Sequence, residues 1–294
     1  MSVRLTPLVD PEQSALSHRL AWLASDADGV PVGSAFVRLF LGPNQRHLSE
    51  LDLQVHPSAR RRGTGTLLLH AAADAARADG RRSLVTEVDE GSPGAEFLSA
   101  RGFAAVLTTT YTRLALSDVD VPALAAAGTT PHPGYELVSW DGTVPDGWAE
   151  EFARSHRAMD DMPMGDMDHG HVDWDVDRVR SAAEAVARRG ELLYTVAVVD
   201  TADGSMVGYS ELVVPGDGTG DGQHYGTGVL PEHRGHGLAY WMKAATIVRV
   251  RDRYPDLAGL CTDTADDNAP MRAVNDRLGY APTHRTVRYQ LDLG

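Results

Sequence analysis

Apolar and polar residues follow two different periodicities in this chain, and segments of each kind alternate along its length. Alternation at every second position in residues 19–25 and 32–40 predicts half-buried strands, and the turn residues between them predict a hairpin. Elsewhere apolar residues recur at three- and four-residue steps, which is typical of a helix with one buried face. The clearest such set is Leu238, Trp241, Met242, Ala245 and Val248. Together these patterns predict an α/β protein.

Two segments with the same residue pattern each connect a predicted strand to a predicted helix. Residues 55–65 and 229–239 carry proline, arginine and glycine at identical spacing, with an offset of 174 positions (234 − 60 = 174). A single glycine turn is weak support for a ligand site, because most such turns only end strands. The same frame between a strand and a helix, found twice, is strong support. The chain is therefore predicted to contain two repeats.

The repeated loop has the chemistry of an anion site. The first backbone N–H groups of a helix have no intrahelical acceptor, and the helix dipole adds partial positive charge there. Gly235 and Gly237 have no Cβ, so a bulky anion can approach the backbone, and Arg234 adds a full charge. We therefore expect this loop to bind a pyrophosphate. Neither repeat completes the glycine motif of a nucleotide P-loop or of a dinucleotide-binding fold.

The residues Arg60-x-x-Gly63-x-Gly65 and Arg234-x-x-Gly237-x-Ala239 resemble the Arg/Gln-x-x-Gly-x-Gly/Ala loop of the GNAT superfamily, the acyl-CoA-dependent N-acyltransferases. The run 267–280 resembles the later helix of that family, which ends in Gly-Phe or Gly-Tyr. The resemblance covers nearly the whole chain as two copies, in the manner of tandem GNAT proteins such as mycothiol synthase. It implies an α/β architecture of two GNAT-like domains in tandem, each a mixed, mostly antiparallel twisted sheet flanked by helices.

Domain boundaries follow from the repeat and from composition. Residues 1–117 are expected to form a truncated first domain without catalytic activity, because this half has few residues where the second has two predicted helices. Residues 118–133, which contain prolines and an alanine run, are expected to be a linker. Residues 134–294 are expected to form the catalytic domain. The two domains would pack as a pseudo-dimer within a monomer, or the chain would form a homodimer.

The resemblance also implies which residues bind acetyl-CoA, the co-substrate of the family. In GNAT folds two central strands separate after the loop strand, and their free N–H groups bind the thioester and pantetheine while the loop binds pyrophosphate. In the second repeat these positions are Val229, Arg234, Gly235, His236, Gly237, Leu238, Ala239 and, on the later helix, Asn268. In the first repeat they are Val55, Arg60, Arg61, Arg62, Gly63, Thr64 and Gly65.

N-acyl transfer needs a base to deprotonate the amine and a proton for the departing thiolate. The family places a Glu or His on the loop strand, which points to His224, equivalent to Glu50 in the first repeat. Glu211 on the preceding strand is a second candidate. The family often supplies the proton from a tyrosine four residues before the final glycine, and here that position is Asn275. Asparagine cannot act as an acid, although it can donate a hydrogen bond.

A methionine-rich acidic loop over residues 159–173 is the remaining unusual stretch. His169 and His171 lie among carboxylates, but their spacing matches no standard zinc frame, so no metal is expected. We interpret the stretch instead as a loop over the acceptor cleft, in which Asp160, Asp161 and Asp166 select a cationic amine.

Net charge, apolar runs and cysteine content limit the classes of partner and the location that we expect. The net charge of −14 argues against nucleic acid, and no apolar run approaches membrane-spanning length. The single cysteine, Cys261, excludes an intrachain disulfide, and the first residues lack the pattern of a signal peptide, so a cytoplasmic location is expected.

The predicted function is transfer of an acetyl group from acetyl-CoA to a primary amine of a small molecule, by direct attack rather than through an enzyme nucleophile. Two other readings stay open: a non-catalytic acyl-CoA-binding or regulatory protein, and a mycothiol-synthase-like acetyltransferase. A protein N-terminus or a lysine side chain is also open as the acceptor.

Overall fold

The computed structural model describes residues 3–9, 17–130, 132–170 and 172–294. The strands of the first repeat are β1 Arg4–Val9, β2 Ser17–Ser25, β3 Pro31–Phe40, β4 Leu48–Val55, β5 Ser83–Asp89 and β6 Ala104–Ala115. Its helices are α1 Thr64–Ala78 and α2 Pro93–Ser99, and α3 Val121–Thr129 follows β6. The strands of the second repeat are β7 Tyr135–Asp141, β8 Leu192–Asp200, β9 Met206–Val214, β10 Gly220–Val229, β11 Leu257–Ala265 and β12 Ala281–Asp292. Its helices are α4 Ala149–Ser155, α5 Val176–Arg188, α6 Leu238–Arg253 and α7 Ala269–Leu278.

The chain folds into two compact units that do not follow its order along the sequence. The first unit contains residues 1–108, 164–172 and 285–294. Its strands lie in the order β1-β2-β3-β4-β5-β12, antiparallel except for the parallel pair β4–β5. Helices α1 and α2 cover one face, where Leu68, Leu84 and Phe103 are part of the core.

The second unit contains residues 109–163 and 173–284. Its strands lie in the order β6-β11-β10-β9-β8-β7, antiparallel except for the parallel pair β10–β11. Helices α6 and α7 pack with Leu212, Leu260 and Leu278 on one face. On the other face α4 and α5 pack with Tyr209 and Ala197. The predicted fold class, two α/β domains with mostly antiparallel sheets flanked by helices, is confirmed.

Each unit receives its last strand from the other repeat. Strand β6, which ends the first repeat in sequence, pairs with β11 of the second unit from Gly259↔Ala115 to Ala265↔Thr109. Strand β12 ends the second repeat and pairs with β5 of the first unit from Thr286↔Asp89 to Asp292↔Ser83. The sequence ranges predicted as domains therefore describe the repeat along the chain, while the compact units exchange strands.

The predicted linker contains a helix rather than an irregular connection. Leu124 of α3 is buried, and the indole Nε1 of Trp241 on α6 donates to the carbonyl of Gly128 at 2.7 Å. The alanine-rich sequence explains this, because alanine has the highest helix propensity. The first of the two helices predicted in the second half is α-helical over α4, and a 3-10 turn, His156–Met159, follows it.

The predicted buried face of α6 is partly rotated. Leu238, Trp241 and Met242 are buried as expected, but Ala245 and Val248 are only half-buried. Their places in the core are taken by Ala244, Ile247 and Val250, and by one residue of a different kind, Lys243. No helix in the described ranges is both long and apolar enough to cross a bilayer.

Candidate active site

The loop before α6 forms an open cradle. Gly235 (φ +83°) and Gly237 (φ +75°) adopt the left-handed conformation that glycine favours. A Cβ at Gly235 would meet nothing within 4 Å, and one at Gly237 would meet only the ring of His132 at 3.7 Å. The first intrahelical bond runs from Trp241 N to Gly237 O, so the amides before Trp241 have no acceptor in the helix. Leu238 is buried, Ala239 is half-buried and His236 is exposed.

The first repeat builds the same loop. Gly63 (φ +86°) precedes α1, and the first intrahelical bond runs from Leu67 N to Gly63 O. Arg60 and Arg234 have the same place in the two loops, because their Nε atoms donate to the carbonyls of Val55 (3.1 Å) and Val229 (2.9 Å).

The first loop differs from the second in charge and in its contacts. Arg61 adopts φ +62°, where the second loop has Gly235, and Arg62 is exposed beside it. Thr64 is buried, and its hydroxyl has no hydrogen-bond partner among the residues described. A Cβ at Gly65 would be 3.5 Å from the Phe97 ring. The first loop therefore carries three arginines on an otherwise similar backbone.

Arg234 does not present a free charge to the second cradle. Its NH1 and NH2 atoms bind the carboxylate of Asp161 at 2.6 and 2.7 Å. NH2 also donates to the carbonyl of Ala158 at 3.3 Å. The guanidinium lowers the pKa of Asp161, so the pair persists across the neutral range. We had expected Arg234 to supply charge for a pyrophosphate, and in the structure Asp161 offsets that charge.

Histidine and aromatic rings lie beside the second cradle. The ring of His132 stacks on Trp241 with 4.1 Å between centroids. Tyr135 lies 5.7 Å from the ring of His236, and its hydroxyl is 3.1 Å from Nδ1 of His233. These rings form a wall on one side of the loop.

In each unit, the two parallel strands pair only at their beginning and then separate. Pairing of β10 with β11 covers only Gly220 to Gln223, and pairing of β4 with β5 covers only Leu48 to Glu50. The rest of β10, up to Val229, keeps its pairing with β9 alone. A gap between β10 and β11 therefore opens toward the cradle, as the family resemblance predicts.

Glu211 lies on the face of the second unit that α4 and α5 partly cover. Its neighbours on β9 at two-residue spacing are Tyr209, which packs with α4, and Val213, which packs with α5. Its partner in β10 is Gly226, which has no side chain to cover it. Burial raises the pKa of Glu211 to about 7, and no charge or hydrogen bond of the described residues contributes to that shift.

His224 lies on the opposite face. A bulge between His224 and Gly226 adds one residue to β10, and this turns His224 toward α6 and α7. It is buried, and its Nε2 lies 2.8 Å from the hydroxyl of Tyr280. Burial and the charge of Lys243 hold its pKa well below the ordinary value, with only partial opposition from the backbone of Glu211.

Glu50 occupies the equivalent position in the repeat, but its surroundings differ from those of His224. Glu50 is exposed and pairs with Arg38 at 3.2 Å. Tyr225 is exposed on β10, and its hydroxyl accepts a hydrogen bond from Arg189 at 2.6 Å. Tyr225 is therefore exposed, whereas the adjacent His224 is buried.

Asn275 is locked inside the second unit. It is buried, its Oδ1 accepts from Lys243 Nζ at 2.7 Å, and its Nδ2 donates to Thr264 Oγ1 at 3.1 Å. Asn268 caps α7, because its side chain accepts from the amide of Met271 at 3.2 Å. The amide groups of both residues are therefore engaged within the protein.

The acidic loop divides between the units. Residues 164–172 belong to the first unit, where the amide of Asp166 donates to Val106 O (3.0 Å) and Asp168 pairs with His47 (2.9 Å). Of the two histidines weighed as metal ligands, His171 lies outside the described residues. Elsewhere in the described chain, no group of three or more His, Cys, Asp or Glu side chains could hold a metal.

Sequence patterns did not single out Lys243. A lysine in an amphipathic helix is ordinarily exposed, and its helical neighbours predicted the core without it. The available signal is the repeat, because Lys243 lies 174 positions after Leu69 (243 − 69 = 174), an ordinary core residue of α1.

Comparison with known proteins identifies the family of this chain. The model of the Acetyltransferase (GNAT) family matches residues 4–103. A mycothiol acetyltransferase of Clavibacter michiganensis subsp. michiganensis (strain NCPPB 382) is 31% identical over 90% of this chain and 77% of its own length. A mycothiol acetyltransferase of Clavibacter sepedonicus is 29% identical over 91% of this chain and 79% of its own length.

Solved structures share the whole architecture. A tandem GNAT protein from the clavulanic acid biosynthesis pathway superposes with a TM-score of 0.78 at 24% identity, over 100% of this chain and 99% of its own. A GCN5-related N-acetyltransferase from Sphaerobacter thermophilus superposes with a TM-score of 0.63 at 18% identity, over 93% of this chain and 80% of its own. At these identities the likeness concerns the fold.

Proposed function

The chain belongs to the GNAT acetyltransferase family, and from that membership we propose that its second repeat transfers an acetyl group from acetyl-CoA to a primary amine of a small molecule. Acetyl transfer is the activity of the family. The choice of repeat, of base and of acceptor rests on the geometry of the second unit.

The second cradle fits the donor. A pyrophosphate needs several N–H donors and room to approach them, and the start of α6 offers amides without intrahelical acceptors beneath two glycines. Residues 235–239 would hold the pyrophosphate of acetyl-CoA. The part of β10 beyond its pairing with β11, ending at Val229, would bind the pantetheine and the thioester carbonyl through backbone groups.

We assign the first repeat a structural or acetyl-CoA-binding role without transfer. It has the loop and its three arginines, but only residues 10–16 connect β1 to β2, too few for two helices, whereas residues 142–191 between β7 and β8 contain α4 and α5. It therefore lacks a wall that could enclose an acceptor.

Glu211 is the proposed base. Its position on the acceptor side and its raised pKa are the observation that carries the proposal. A base that acts at neutral pH needs a pKa near 7 and a position on the acceptor side. Glu211 has a pKa of about 7 and faces the side formed by α4 and α5. His224 meets neither condition, because it is buried on the opposite face and its pKa is far below neutral.

The transfer then proceeds without an enzyme nucleophile. Glu211 accepts one proton from the acceptor ammonium, and the neutral nitrogen attacks the thioester carbonyl carbon. The C–N bond forms as the C–S bond breaks, and the electron pair stays on sulfur. The nitrogen loses a second proton as the amide forms and the sulfur gains one, so CoA leaves as a thiol. Cys261 is a poor nucleophile, because burial and the charge of Asp221 raise the pKa of its thiol.

Acidic residues of the second unit favour an acceptor that is cationic before it reacts. Asp160 and Glu211 lie close enough to Tyr209 to raise the pKa of its phenol, after burial as the larger cause. Asp263 on β11 accepts a hydrogen bond from Gln223 at 3.4 Å. An ammonium group would be attracted to these carboxylates. Of the three acidic-loop residues expected to select the amine, only Asp160 keeps that role, since Asp161 binds Arg234.

The test is an acetylation assay with acetyl-CoA and a panel of primary amines that includes amino sugars, amino acids, polyamines and a lysine peptide. Released CoA is followed with a thiol reagent, and the product is identified by mass. We expect acetylation of at least one small amine in preference to the peptide. Preference for the peptide, or acetyl-CoA binding without any product, contradicts the proposal.

A second candidate acceptor comes from the relatives. The two Clavibacter proteins are mycothiol acetyltransferases, and the first is 31% identical over 90% of this chain. We therefore keep a mycothiol-synthase-like acetyltransferase as the alternative, and the acceptor of the Clavibacter enzymes belongs in the same panel. Turnover of this acceptor above all others would establish the alternative.

A further inference from the structure

A buried polar cluster lies behind the gap between β10 and β11. Lys243 on α6 is only 1% exposed, and its Nζ donates to Asn275 on α7 at 2.7 Å. The same Nζ lies 4.8 Å from the ring centroid of Tyr280, in cation–π contact. The ammonium is thus held by an amide oxygen and a ring face.

Each partner of Lys243 in turn binds one of the two separating strands. Asn275 donates to Thr264 on β11, and Tyr280 hydrogen-bonds His224 on β10. Direct pairing of these strands ends at Gln223↔Cys261, and both contacted residues lie beyond it. The cluster therefore connects β10 to β11 where their backbones no longer do.

The first repeat has an apolar version of the same cluster. Leu69 is the sixth residue of α1, as Lys243 is of α6. The bond from Phe103 N to Leu98 O repeats the bond from Tyr280 N to Asn275 O at the end of the later helix. Leu69, Leu98 and Phe103 are all buried in one core.

This comparison separates folding from function. Burying a lysine costs free energy, and an apolar side chain at such a site is usually at least as stabilising. The first repeat folds with leucine and phenylalanine at these three places. The fold itself therefore does not need Lys243, Asn275 and the Tyr280 hydroxyl, and another requirement must account for them in the second repeat.

We propose that Lys243 is a positioning residue for acetyl transfer: through Asn275 and Tyr280 it fixes the gap between β10 and β11, and its positive charge stabilises the sulfur as it leaves. This inference rests on the proposed function, because it takes the gap to be the thioester site. Charge placed in a water-poor interior beside a developing anion acts far more strongly than in water.

The charges that face Lys243 come from three elements. His224 on β10 and Tyr280 before β12 are neutral at pH 7, because burial moves the pKa of each away from neutrality. Asp263 on β11 favours the ammonium. Burial outweighs it and lowers the pKa of Lys243 to about 7. In the free protein the charge on Lys243 is therefore lost as pH rises above neutrality. A thiolate in the gap would hold that charge to higher pH, because a neighbouring anion raises the pKa of an ammonium.

The experiment compares the wild type with Lys243→Leu, which installs the residue of the first repeat, and with Arg251→Leu, which removes one charge from the same helix. The probe is free CoA, and the readout is the pH titration of its bound thiol by thiolate ultraviolet absorbance. We expect the bound thiol to titrate about one pH unit higher in Lys243→Leu than in the other two proteins. With a reactive amine, kcat should fall about 10- to 100-fold in Lys243→Leu while the KM for acetyl-CoA changes less than about 3-fold.

Failure of the Lys243 role and failure of the proposed function give different results. Binding of CoA with the same thiol titration in wild type and Lys243→Leu overturns the role of Lys243 and leaves the donor site intact. Absence of CoA binding in the wild type overturns both. A Tyr280→Phe variant guards against a folding failure, because it keeps the ring under Lys243, removes only the link to His224 and should lower kcat without moving the thiol titration.

Discussion

Arg234 of the second cradle is bound in a two-pronged ion pair to Asp161, with N–O distances of 2.6 and 2.7 Å. The aligned Arg60 has neighbours Arg61 and Arg62, whereas Arg234 has Gly235 and His236. The first cradle is therefore strongly basic and the second close to neutral, so donor binding in the second relies on backbone amides.

Release of Arg234 should strengthen anion binding. In Asp161→Asn the guanidinium keeps its bond to Val229 but is no longer neutralised, so the Kd for acetyl-CoA should fall about 2- to 5-fold at low salt. Calorimetry at low and high salt measures this, with Asp160→Asn as the control for net charge. Equal tightening in both variants would mean that the ion pair has no specific role.

The pH profile of kcat/KM should have a rising limb that reports the ionisation of Glu211. The base must be ionised and Lys243 must carry its charge, so kcat/KM should rise with pH toward about 7, the pKa of Glu211, and fall beyond it as Lys243 loses its proton. Glu211→Gln should lower kcat/KM about 100-fold or more and remove this limb. Glu232→Gln, at an exposed partner of Arg157, is the matched control. A limb that persists in Glu211→Gln assigns it to another group.

Stability should respond to pH through Lys243. Its pKa is about 7 in the folded protein and ordinary in the unfolded chain, so the unfolded state binds more protons between about pH 7 and 10. Wild-type stability should therefore rise with pH in this window, by at most about 1.4 kcal/mol per pH unit.

Lys243→Leu supplies the comparison, because it removes this group. Its free energy of unfolding should exceed that of the wild type most clearly at pH 7 and below, and the difference should shrink toward pH 10. Urea unfolding at a series of pH values measures this. A difference that stays constant with pH means that Lys243 titrates normally in the folded protein.

The exchanged strand β12 should support the first unit. Tyr289 of β12 is buried in the core that contains α1, whereas Gln290 faces the other side of the sheet. Tyr289→Ala should destabilise the first unit by about 3 kcal/mol, as other large-to-small core changes do, and Gln290→Ala should have little effect. Hydrogen exchange at β5 reports this directly. Faster exchange confined to β11 would contradict the pairing.

The sequence predicted the features that depend on local residue patterns. The cradle, the hairpins and the helices α5 and α6 follow from glycine, turn residues and periodicity within short segments. Strand exchange was not predictable, because the partners of β6 and β12 are distant in sequence and no local pattern specifies them. The alanine-rich α3 could have been recognised by its helix propensity, but the flanking prolines indicated a linker instead.

The face of His224 depended on a single inserted residue. Tyr225 creates a bulge that alternation in the sequence does not reveal, and a shift of one position moves a side chain across the sheet. Glu211 was the second candidate for the base, and its face follows from the regular alternation of Tyr209, Glu211 and Val213 along β9. The environment of Lys243 required knowledge of how α6 meets α7, which no local pattern contains.

The central claim, that the second repeat performs the transfer, is tested most directly by acetylation rates of Gly63→Asp and Gly237→Asp. Both glycines have positive φ, which aspartate tolerates better than most residues, so the two variants strain equivalent loops while placing an anion in each cradle. Thermal unfolding confirms that both are folded. The account predicts that Gly237→Asp abolishes acetylation and that Gly63→Asp retains most of it; loss of activity in Gly63→Asp alone would contradict it.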